Sequence, residues 1–117
     1  MISKSNLGAK GEEMAVFFLQ GLGYEIIERN WRYGRSEIDI IAREAQTLVF
    51  VEVKTRQTTQ FGLPEESVSD SKMNAVTRAA LEYLRQHPCP RIRFDVIAIS
   101  LLPHSEPEIF HIRDAFY

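Results

Sequence analysis

Two short runs of the sequence place acidic residues where apolar ones are expected. Asp39 interrupts the apolar residues of SEIDIIAR, residues 36–43, and Glu52 interrupts those of LVFVEVK, residues 48–54. Aspartate and glutamate are poor strand formers, and charged side chains are rarely buried without a partner. With Lys54 two residues after Glu52, the groups are those that bind a divalent cation and hydrolyse a phosphodiester. The two runs therefore indicate a hydrolytic metal site.

The spacing of the two runs predicts a β-hairpin that brings both acids together. Pairing Glu44 with Thr47 across a two-residue turn places Asp39 directly opposite Glu52. The β-carbons of directly paired residues lie about 5 Å apart, so two like charges there need compensation. Lys54 falls on the same face as Glu52, because side chains alternate along a strand.

A divalent cation compensates two facing carboxylates better than one ammonium can. Mg²⁺ and Mn²⁺ prefer oxygen ligands, and the backbone carbonyl of Val53 is placed to add one to those of Asp39 and Glu52. Such a cation neutralises a phosphate and acidifies a water molecule, while Lys54 orients that water or stabilises the developing charge. The alternative is an ordinary hairpin, in which both acids face solvent and Lys54 is a charge at a sheet edge.

The remaining elements predict one α/β domain over residues 1–117, with a mixed central sheet flanked by helices. Apolar residues three and four apart indicate helices, and runs of β-branched and aromatic residues indicate strands. The first helix is expected to present an apolar face of Leu7, Met14, Phe17, Phe18 and Leu22, widened by Ala9, Ala15, Val16 and Leu19. The predicted elements are a helix over 6–22, strands over 24–31, 36–43 and 48–54, a loop over 57–64, a helix that follows Ser69 or Asp70 and ends before His87, a strand over 92–101, and a weaker strand over 108–113.

Composition limits the class of protein and the kind of partner. A hydrophobic fraction of 44% in 117 residues is enough for a core. The single cysteine excludes an intramolecular disulfide and fits a reducing compartment, so a cytoplasmic location is expected. No apolar run approaches the roughly 18 residues of a membrane span. Because the net charge is −2, contacts with nucleic acid must come from a local group of basic residues.

An arginine-rich and aromatic segment, RNWRYGR over residues 29–35, supplies such a group. Guanidinium groups pair with phosphates, and aromatic rings stack on unpaired bases. Trp31 is interpreted instead as an anchor of the core. The predicted contacts with nucleic acid are Arg32, Arg35, Arg56 and Lys72, with Arg78 as a weaker candidate.

Several other polar residues have both a functional and a structural interpretation. Glu12 and Glu13 complement the dipole of the first helix. Glu37 shares the face of Asp39 and is a reserve acid for the site. Asp95 interrupts an apolar strand and is expected to pair with Arg93, Arg56 or Lys72, whereas His87, His104 and His111 are expected at the surface.

The acids and the lysine also match a known pattern. Asp39, twelve intervening residues, and then Glu52-Val53-Lys54 resemble the signature of the PD-(D/E)XK, or restriction-endonuclease-like, nuclease superfamily. From about residue 8 to residue 99 the chain resembles the YraN-like family of uncharacterised bacterial proteins. It departs at Ile38, where the motif has proline, and at Ser36, where family sequences usually have glycine. The matching blocks are GAKGEEMA, GYEIIERNWR, SEIDIIAR, LVFVEVKTR, FGLPEESV and RFDVIAI.

The resemblance implies a restriction-endonuclease-like αβββαβ core, similar to that of archaeal Holliday-junction resolvases. It implies that Asp39 and Glu52 are metal ligands, that Lys54 is the catalytic lysine, and that Glu12 joins the site from the first helix. The expected function is Mg²⁺- or Mn²⁺-dependent cleavage of structured DNA by a homodimer. The alternatives are a non-catalytic nucleic-acid-binding module and a protein-interaction adaptor that kept the fold.

Overall fold

The computed structural model describes residues 4–57 and 69–116. Most of the predicted loop over 57–64, and the block FGLPEESV over 61–68, lie outside the described residues. No described helix is both long and apolar enough to cross a membrane. The elements are α1 (Lys4–Gly21), β1 (Glu25–Tyr33), β2 (Ser36–Glu44), β3 (Thr47–Arg56), α2 (Asp70–Gln86), β4 (Ile92–Ser100) and β5 (Glu108–Ile112).

One mixed sheet carries all five strands, in the order β1-β2-β3-β4-β5. β1, β2 and β3 form an antiparallel meander, and α2 connects β3 to β4, which run parallel. β5 then adds antiparallel to β4 at the edge. The predicted α/β fold class and the predicted αβββαβ order of elements are confirmed, and β5 is the predicted weaker strand.

The two faces of the sheet bury separate clusters, because residues two apart on a strand point the same way. β4 contributes to both clusters and is buried on both faces, as its apolar run predicts. The α1 cluster consists of Ala15, Val16, Leu19, Tyr24, Ile40, Ala42, Val49, Val51, Ile97 and Ile99. The α2 cluster consists of Ile38, Ile41, Leu48, Phe50, Val76, Ala79, Ala80, Tyr83 and Phe94.

The predicted buried face of α1 is partly wrong. Phe17 and Leu22 are 65% and 55% exposed, whereas Ala15 and Leu19, which were expected to widen the apolar face, are fully buried. Met14 and Phe18 pack against the α1 cluster as predicted, and small residues bring the helix close to the sheet. Gly11 makes the nearest approach, because a β-carbon there would lie 1.8 Å from Oγ1 of Thr55 on β3.

Replacing Gly11 with alanine is expected to push α1 away from β3 and to lower the free energy of unfolding by about 1–3 kcal/mol. Gly8→Ala is the matched control, because nothing lies within 4 Å of a β-carbon at that position and alanine is the better helix former. Urea denaturation of both variants gives the comparison. Equal stability of the two variants would contradict the close packing of α1 on Thr55.

Ser69 caps α2 and fixes the direction of its first turn. Its hydroxyl accepts a hydrogen bond from the backbone N–H of Lys72 at 3.2 Å, one of the two caps predicted from the sequence. Further along, Tyr83 packs edge-to-face with Trp31 at 5.3 Å between ring centroids. Trp31 therefore anchors β1 to α2, as its interpretation as a core residue predicts.

A buried ionic network ties β5 and the C-terminal segment to β4. Asp95 is fully buried, and Arg93 donates to both of its carboxylate oxygens at 2.8 and 3.0 Å. His111 lies 2.7 Å from the same carboxylate, and the backbone N–H of Asp114 donates to it at 3.1 Å. The predicted Arg93 partner is confirmed, and the predicted surface position of His111 is wrong because this carboxylate draws it into the protein.

The other two proposed partners of Asp95 contact different residues. Nε of Arg56 donates to the hydroxyl of Ser100 at 3.0 Å, and the ammonium of Lys72 contacts Glu52. Arg56 lies at the opposite end of β3 and β4 from Asp95, since Arg56 pairs with Ser100 whereas Asp95 pairs with Val51. Strand register, which is not visible in the spacing of single residues, decides this outcome.

Candidate metal and active site

β2 and β3 stop pairing at the point where the two acids lie. The predicted register is confirmed from the turn to the pair Ile40–Val51, which is the last one of the ladder. Asp39 and Glu52 come one residue beyond it. There the Asp39 carboxylate accepts a hydrogen bond from the backbone N–H of Val53 at 2.8 Å. The side chain thus satisfies a backbone donor that the neighbouring strand no longer reaches.

The alternation of side chains along β2 is broken across Asp39. Ile38 and Ile41 both pack in the α2 cluster, although strict alternation puts residues three apart on opposite faces. The break leaves Asp39 close to α1, where carboxylate oxygens of Glu12, Glu37 and Asp39 all lie within 4.8 Å of one another. Glu37 shares the side of Asp39 as its spacing predicts, and Glu12 reaches the same place from α1.

Glu52 is the most deeply buried acid of the group, with 3% of its side chain exposed. Its Oε1 atom lies 3.5 Å from the ammonium of Lys72 and 3.9 Å from that of Lys54. Its Oε2 atom is buried and has no hydrogen-bond partner among residues 4–57 and 69–116. A buried oxygen without a donor is costly unless another ligand satisfies it. Carboxylate oxygen is also the ligand that Mg²⁺ and Mn²⁺ prefer, so this site fits a divalent cation.

The acids hold their protons more tightly than free side chains do. Burial, and after it the charge of Asp39, raise the pKa of Glu52 to about 8 against the opposing charges of Lys72 and Lys54. Burial also raises the pKa of Asp39, although the Val53 N–H and Lys72 lower it. Burial and the charge of Asp39 raise the pKa of Glu12. Desolvated carboxylates in mutual repulsion are typical of functional sites.

Neutralising Glu52 is therefore expected to stabilise the metal-free protein. In EDTA, Glu52→Gln should raise the free energy of unfolding by roughly 1–3 kcal/mol at pH 9, because a buried charged carboxylate is removed. Folded Glu52 keeps its proton until about pH 8, against a usual pKa of 4.5, so wild-type stability falls as the pH rises between these values. The advantage of the variant should accordingly shrink toward pH 5.

Thermal unfolding in EDTA across this pH range measures the effect. Glu13→Gln is the matched control, because Glu13 lies next to Glu12 on α1 but is 53% exposed and pairs with Arg29. A Glu52→Gln variant that is less stable than the wild type at pH 9 would contradict the burial of an uncompensated charge.

An open cleft of about 570 Å³ gives access to the acids. α1 forms one wall, and the end of β3 forms the other. Every catalytic residue predicted from the sequence lines this cleft, and Glu37 lies at its margin in the acidic group. The lining residues are Leu7, Gly8, Glu12, Asp39, Glu52, Val53, Lys54, Thr55, Arg56 and Gln57.

The four basic residues predicted to contact nucleic acid lie in different parts of the structure. Arg56 lines it, and Lys72 reaches Glu52 from α2. Arg32 is 72% exposed but contacts Glu37 at 3.0 Å, and Arg35 is exposed in the turn between β1 and β2. The contact of Lys72 with Glu52 was not predicted from the sequence. The feature that could have indicated it is the position of Lys72 in the first turn of α2, directly after the Ser69 cap.

Comparison with known proteins gives relatives over nearly the whole chain. A UPF0102 protein of Geotalea daltonii is 53% identical over 112 residues, which cover 94% of this chain and 88% of the relative. A UPF0102 protein of Nocardia farcinica is 46% identical over 115 residues, which cover 97% and 91%. Among solved structures, the Holliday junction resolvase of Archaeoglobus fulgidus is 20% identical and has a TM-score of 0.47, covering 87% of this chain and 74% of that one.

The sequence profile described as uncharacterised protein family UPF0102 matches residues 11–99. This range begins beside Glu12 and contains every acid and lysine of the cleft. The membership of the YraN-like family expected from the six sequence blocks is confirmed. The chain belongs to the uncharacterised protein family UPF0102.

Proposed function

We propose that this chain is a divalent-metal-dependent nuclease that hydrolyses phosphodiester bonds in structured DNA. One observation carries the proposal: the carboxylates of Asp39 and Glu52 are buried, yet both line an open cleft together with Glu12 and Lys54. These residues come from α1, β2 and β3, so the fold itself assembles the group. A buried cluster of like charges costs stability, and such costs are characteristic of functional sites.

The proposed ligands of the cation are the carboxylates of Asp39, Glu52 and Glu12 and the backbone carbonyl of Val53, with Glu37 as a further donor. The unpartnered Oε2 of Glu52 and the grouped oxygens of Glu12, Glu37 and Asp39 support this assignment. Mg²⁺ or Mn²⁺ is proposed because every donor is oxygen. A bound divalent cation would supply positive charge to a phosphodiester and acidify a water molecule.

The chain's own basic residues are proposed to act on the phosphate. Lys54 is 38% exposed and borders the cleft, where its ammonium can stabilise the negative charge that develops on the phosphate oxygens. Arg56 lines the same cleft and extends the positive charge along a bound strand. Lys72 keeps the Glu52 carboxylate in position from α2. Glu12 reaches the acidic group from α1 and adds an oxygen ligand to those of Asp39 and Glu52.

The second candidate function is a nucleic-acid-binding module or a protein-interaction adaptor without catalysis. The net charge of −2 favours the adaptor. Neither binding role requires a buried carboxylate oxygen without a hydrogen-bond donor, and the nuclease proposal accounts for one. We therefore place the nuclease first.

A substrate panel tests the proposal. Branched, single-stranded, tailed and blunt duplex DNA are incubated with the protein in Mg²⁺, in Mn²⁺ and in EDTA. Cleavage of at least one DNA in a divalent cation, and of none in EDTA, is the expected result. Binding of DNA that persists in EDTA, without cleavage in either cation, would favour the binding module. Sedimentation of the free and DNA-bound protein tests the homodimer that the family resemblance implies.

Lys54→Met is expected to separate chemistry from metal binding. Removing the ammonium should lower the cleavage rate about 10²- to 10³-fold, the effect typical of one electrostatic group at a reacting centre. Affinity for Mg²⁺ should persist, because lysine is not a ligand. Lys10→Met on α1 is the control. Loss of metal binding together with cleavage would contradict the separate role of Lys54.

A further inference from the structure

A second, shallower cleft of about 340 Å³ lies on the α2 side of the β1–β2 hairpin. We call it the Tyr33 cleft, and it is lined by Tyr33, Arg78, Leu81, Glu82 and Arg85. Tyr33 is 48% exposed and Leu81 is 62% exposed. A large aromatic residue and a leucine thus share one solvent-facing cleft.

The ring of Tyr33 is free to stack. In the part of the chain that the structure describes, it makes no contact with another aromatic ring. The other aromatic residues of this side are already packed: Trp31 lies 5.3 Å from Tyr83, and Tyr83 lies 4.4 Å from His87, between ring centroids. An exposed aromatic ring can stack on an unpaired base, and every nucleotide offers a base face for this contact.

The charges around this ring are complementary to a phosphate backbone. Arg78, Leu81 and Arg85 lie on one exposed stripe of α2, at the spacing of one helical face. Arg85 pairs with Glu82 at 2.6 Å, which neutralises the acid of the Tyr33 cleft. Arg78, and Arg35 at the hairpin turn, are exposed and form no ion pair within residues 4–57 and 69–116. The Tyr33 cleft therefore combines an exposed aromatic ring with the guanidinium group of Arg78, which forms no ion pair within the described residues.

The β1–β2 hairpin and α2 connect the Tyr33 cleft to the proposed active site. Tyr33 pairs with Ser36 at the start of β2, and the guanidinium of Arg32 contacts Glu37 of the acidic group at 3.0 Å. On α2, Lys72 contacts Glu52, and Arg78 follows it by six residues, a rise of about 9 Å.

From this placement we infer that the Tyr33 cleft binds an unpaired nucleotide close to the scissile phosphate, by stacking on Tyr33 and by pairing of its phosphate with Arg78. The inference rests on the proposed nuclease function and specifies its substrate class as DNA with a single-stranded segment, such as a tail or a branch, next to a duplex. Blunt duplex DNA leaves the Tyr33 cleft empty.

Binding measured in EDTA tests the inference without cleavage. The probes are a duplex with a short single-stranded tail that carries 2-aminopurine and the same duplex with blunt ends. Wild type should prefer the tailed probe and quench its fluorescence through stacking. Tyr33→Ala should bind the tailed probe roughly 5- to 100-fold more weakly and abolish the quenching. Tyr33→Phe keeps the ring and should match the wild type.

Arg78→Gln tests the phosphate contact separately. It should weaken binding of the tailed probe and reduce the slope of log affinity against log salt by about 0.7, the value for one phosphate of a single strand. Quenching should persist, because Tyr33 remains. An unchanged slope of log affinity against log salt would contradict the contact between Arg78 and the phosphate.

The outcomes distinguish this inference from the nuclease proposal. If the protein cleaves DNA in Mg²⁺ and Tyr33→Ala does not change its preference for the tailed probe, the inferred nucleotide site is wrong and the nuclease proposal stands. If binding of the tailed probe depends on Tyr33 but no DNA is cleaved, the inferred nucleotide site is supported and the nuclease proposal is wrong. Self-association that Tyr33→Ala or Leu81→Ala abolishes, with no effect on DNA binding, identifies a protein interface and overturns the inference.

Discussion

Asp39→Asn is expected to reduce Mg²⁺-dependent cleavage by on the order of 10³-fold, because the charge of a metal ligand is worth several kcal/mol of barrier. Asparagine keeps a carbonyl oxygen that can accept the hydrogen bond of the Val53 N–H, which Asp39 now accepts at 2.8 Å. The variant should therefore fold like the wild type. Single-turnover cleavage of the best substrate, with thermal unfolding measured alongside, gives the comparison.

Two matched substitutions make this result specific. Glu12→Gln removes an acid whose oxygen lies within 4.8 Å of those of Glu37 and Asp39, and it should also lower cleavage. Glu13→Gln changes the next residue of α1, which is 53% exposed and pairs with Arg29, and it should leave cleavage unchanged. Full activity of Asp39→Asn would contradict the proposed role of the acids in the reaction.

Arg93→Met is expected to give the largest loss of stability, about 3–5 kcal/mol, because it leaves the buried charge of Asp95 without its main partner. It also removes hydrogen bonds to Glu44 at 2.8 Å and to the Tyr24 hydroxyl at 2.7 Å. Urea denaturation measures the change. In the double variant Arg93→Met/Asp95→Leu no uncompensated charge is left, so part of the lost stability should return. A double variant no more stable than Arg93→Met would contradict this explanation.

The same network predicts a sensitivity to acid. Burial raises the pKa of Asp95, but hydrogen bonds from His111, Arg93 and the Asp114 N–H outweigh it and hold the pKa below its usual value of 3.8. A lowered pKa stabilises the fold above the unfolded value, and this contribution is lost as the pH falls through the folded pKa. The stability difference between wild type and Asp95→Asn should thus be full at pH 6 and shrink below about pH 4.

Local pattern was sufficient to predict the framework of the site. The two-residue turn between Glu44 and Thr47 fixed the hairpin register, which the structure confirms as far as Ile40 and Val51. Apolar runs predicted the strands, and Ser69 marked the start of α2. These features depend on residues close in sequence, where turn chemistry and side-chain alternation determine the result.

The details that required the structure depend on contacts between distant segments. A direct Asp39–Glu52 pair was expected from regular alternation, but the strands separate at this point and Asp39 turns to the Val53 N–H. Lys72 was expected to contact nucleic acid, and the position of α2 directs it to Glu52. His111 was expected at the surface, and the pairing of β5 with β4 brings it to Asp95. Packing of whole elements decides each case.

Calorimetric titration of Mg²⁺ and Mn²⁺ into the wild type and into Asp39→Ala/Glu52→Ala is the most direct test of a metal site between α1 and the separating strands. The measurement needs no substrate, so it is independent of the choice of DNA. We expect wild type to bind a divalent cation and the double variant to lose that binding while remaining folded. Absence of binding to the wild type at millimolar metal, also with DNA present, would contradict the metal-dependent nuclease.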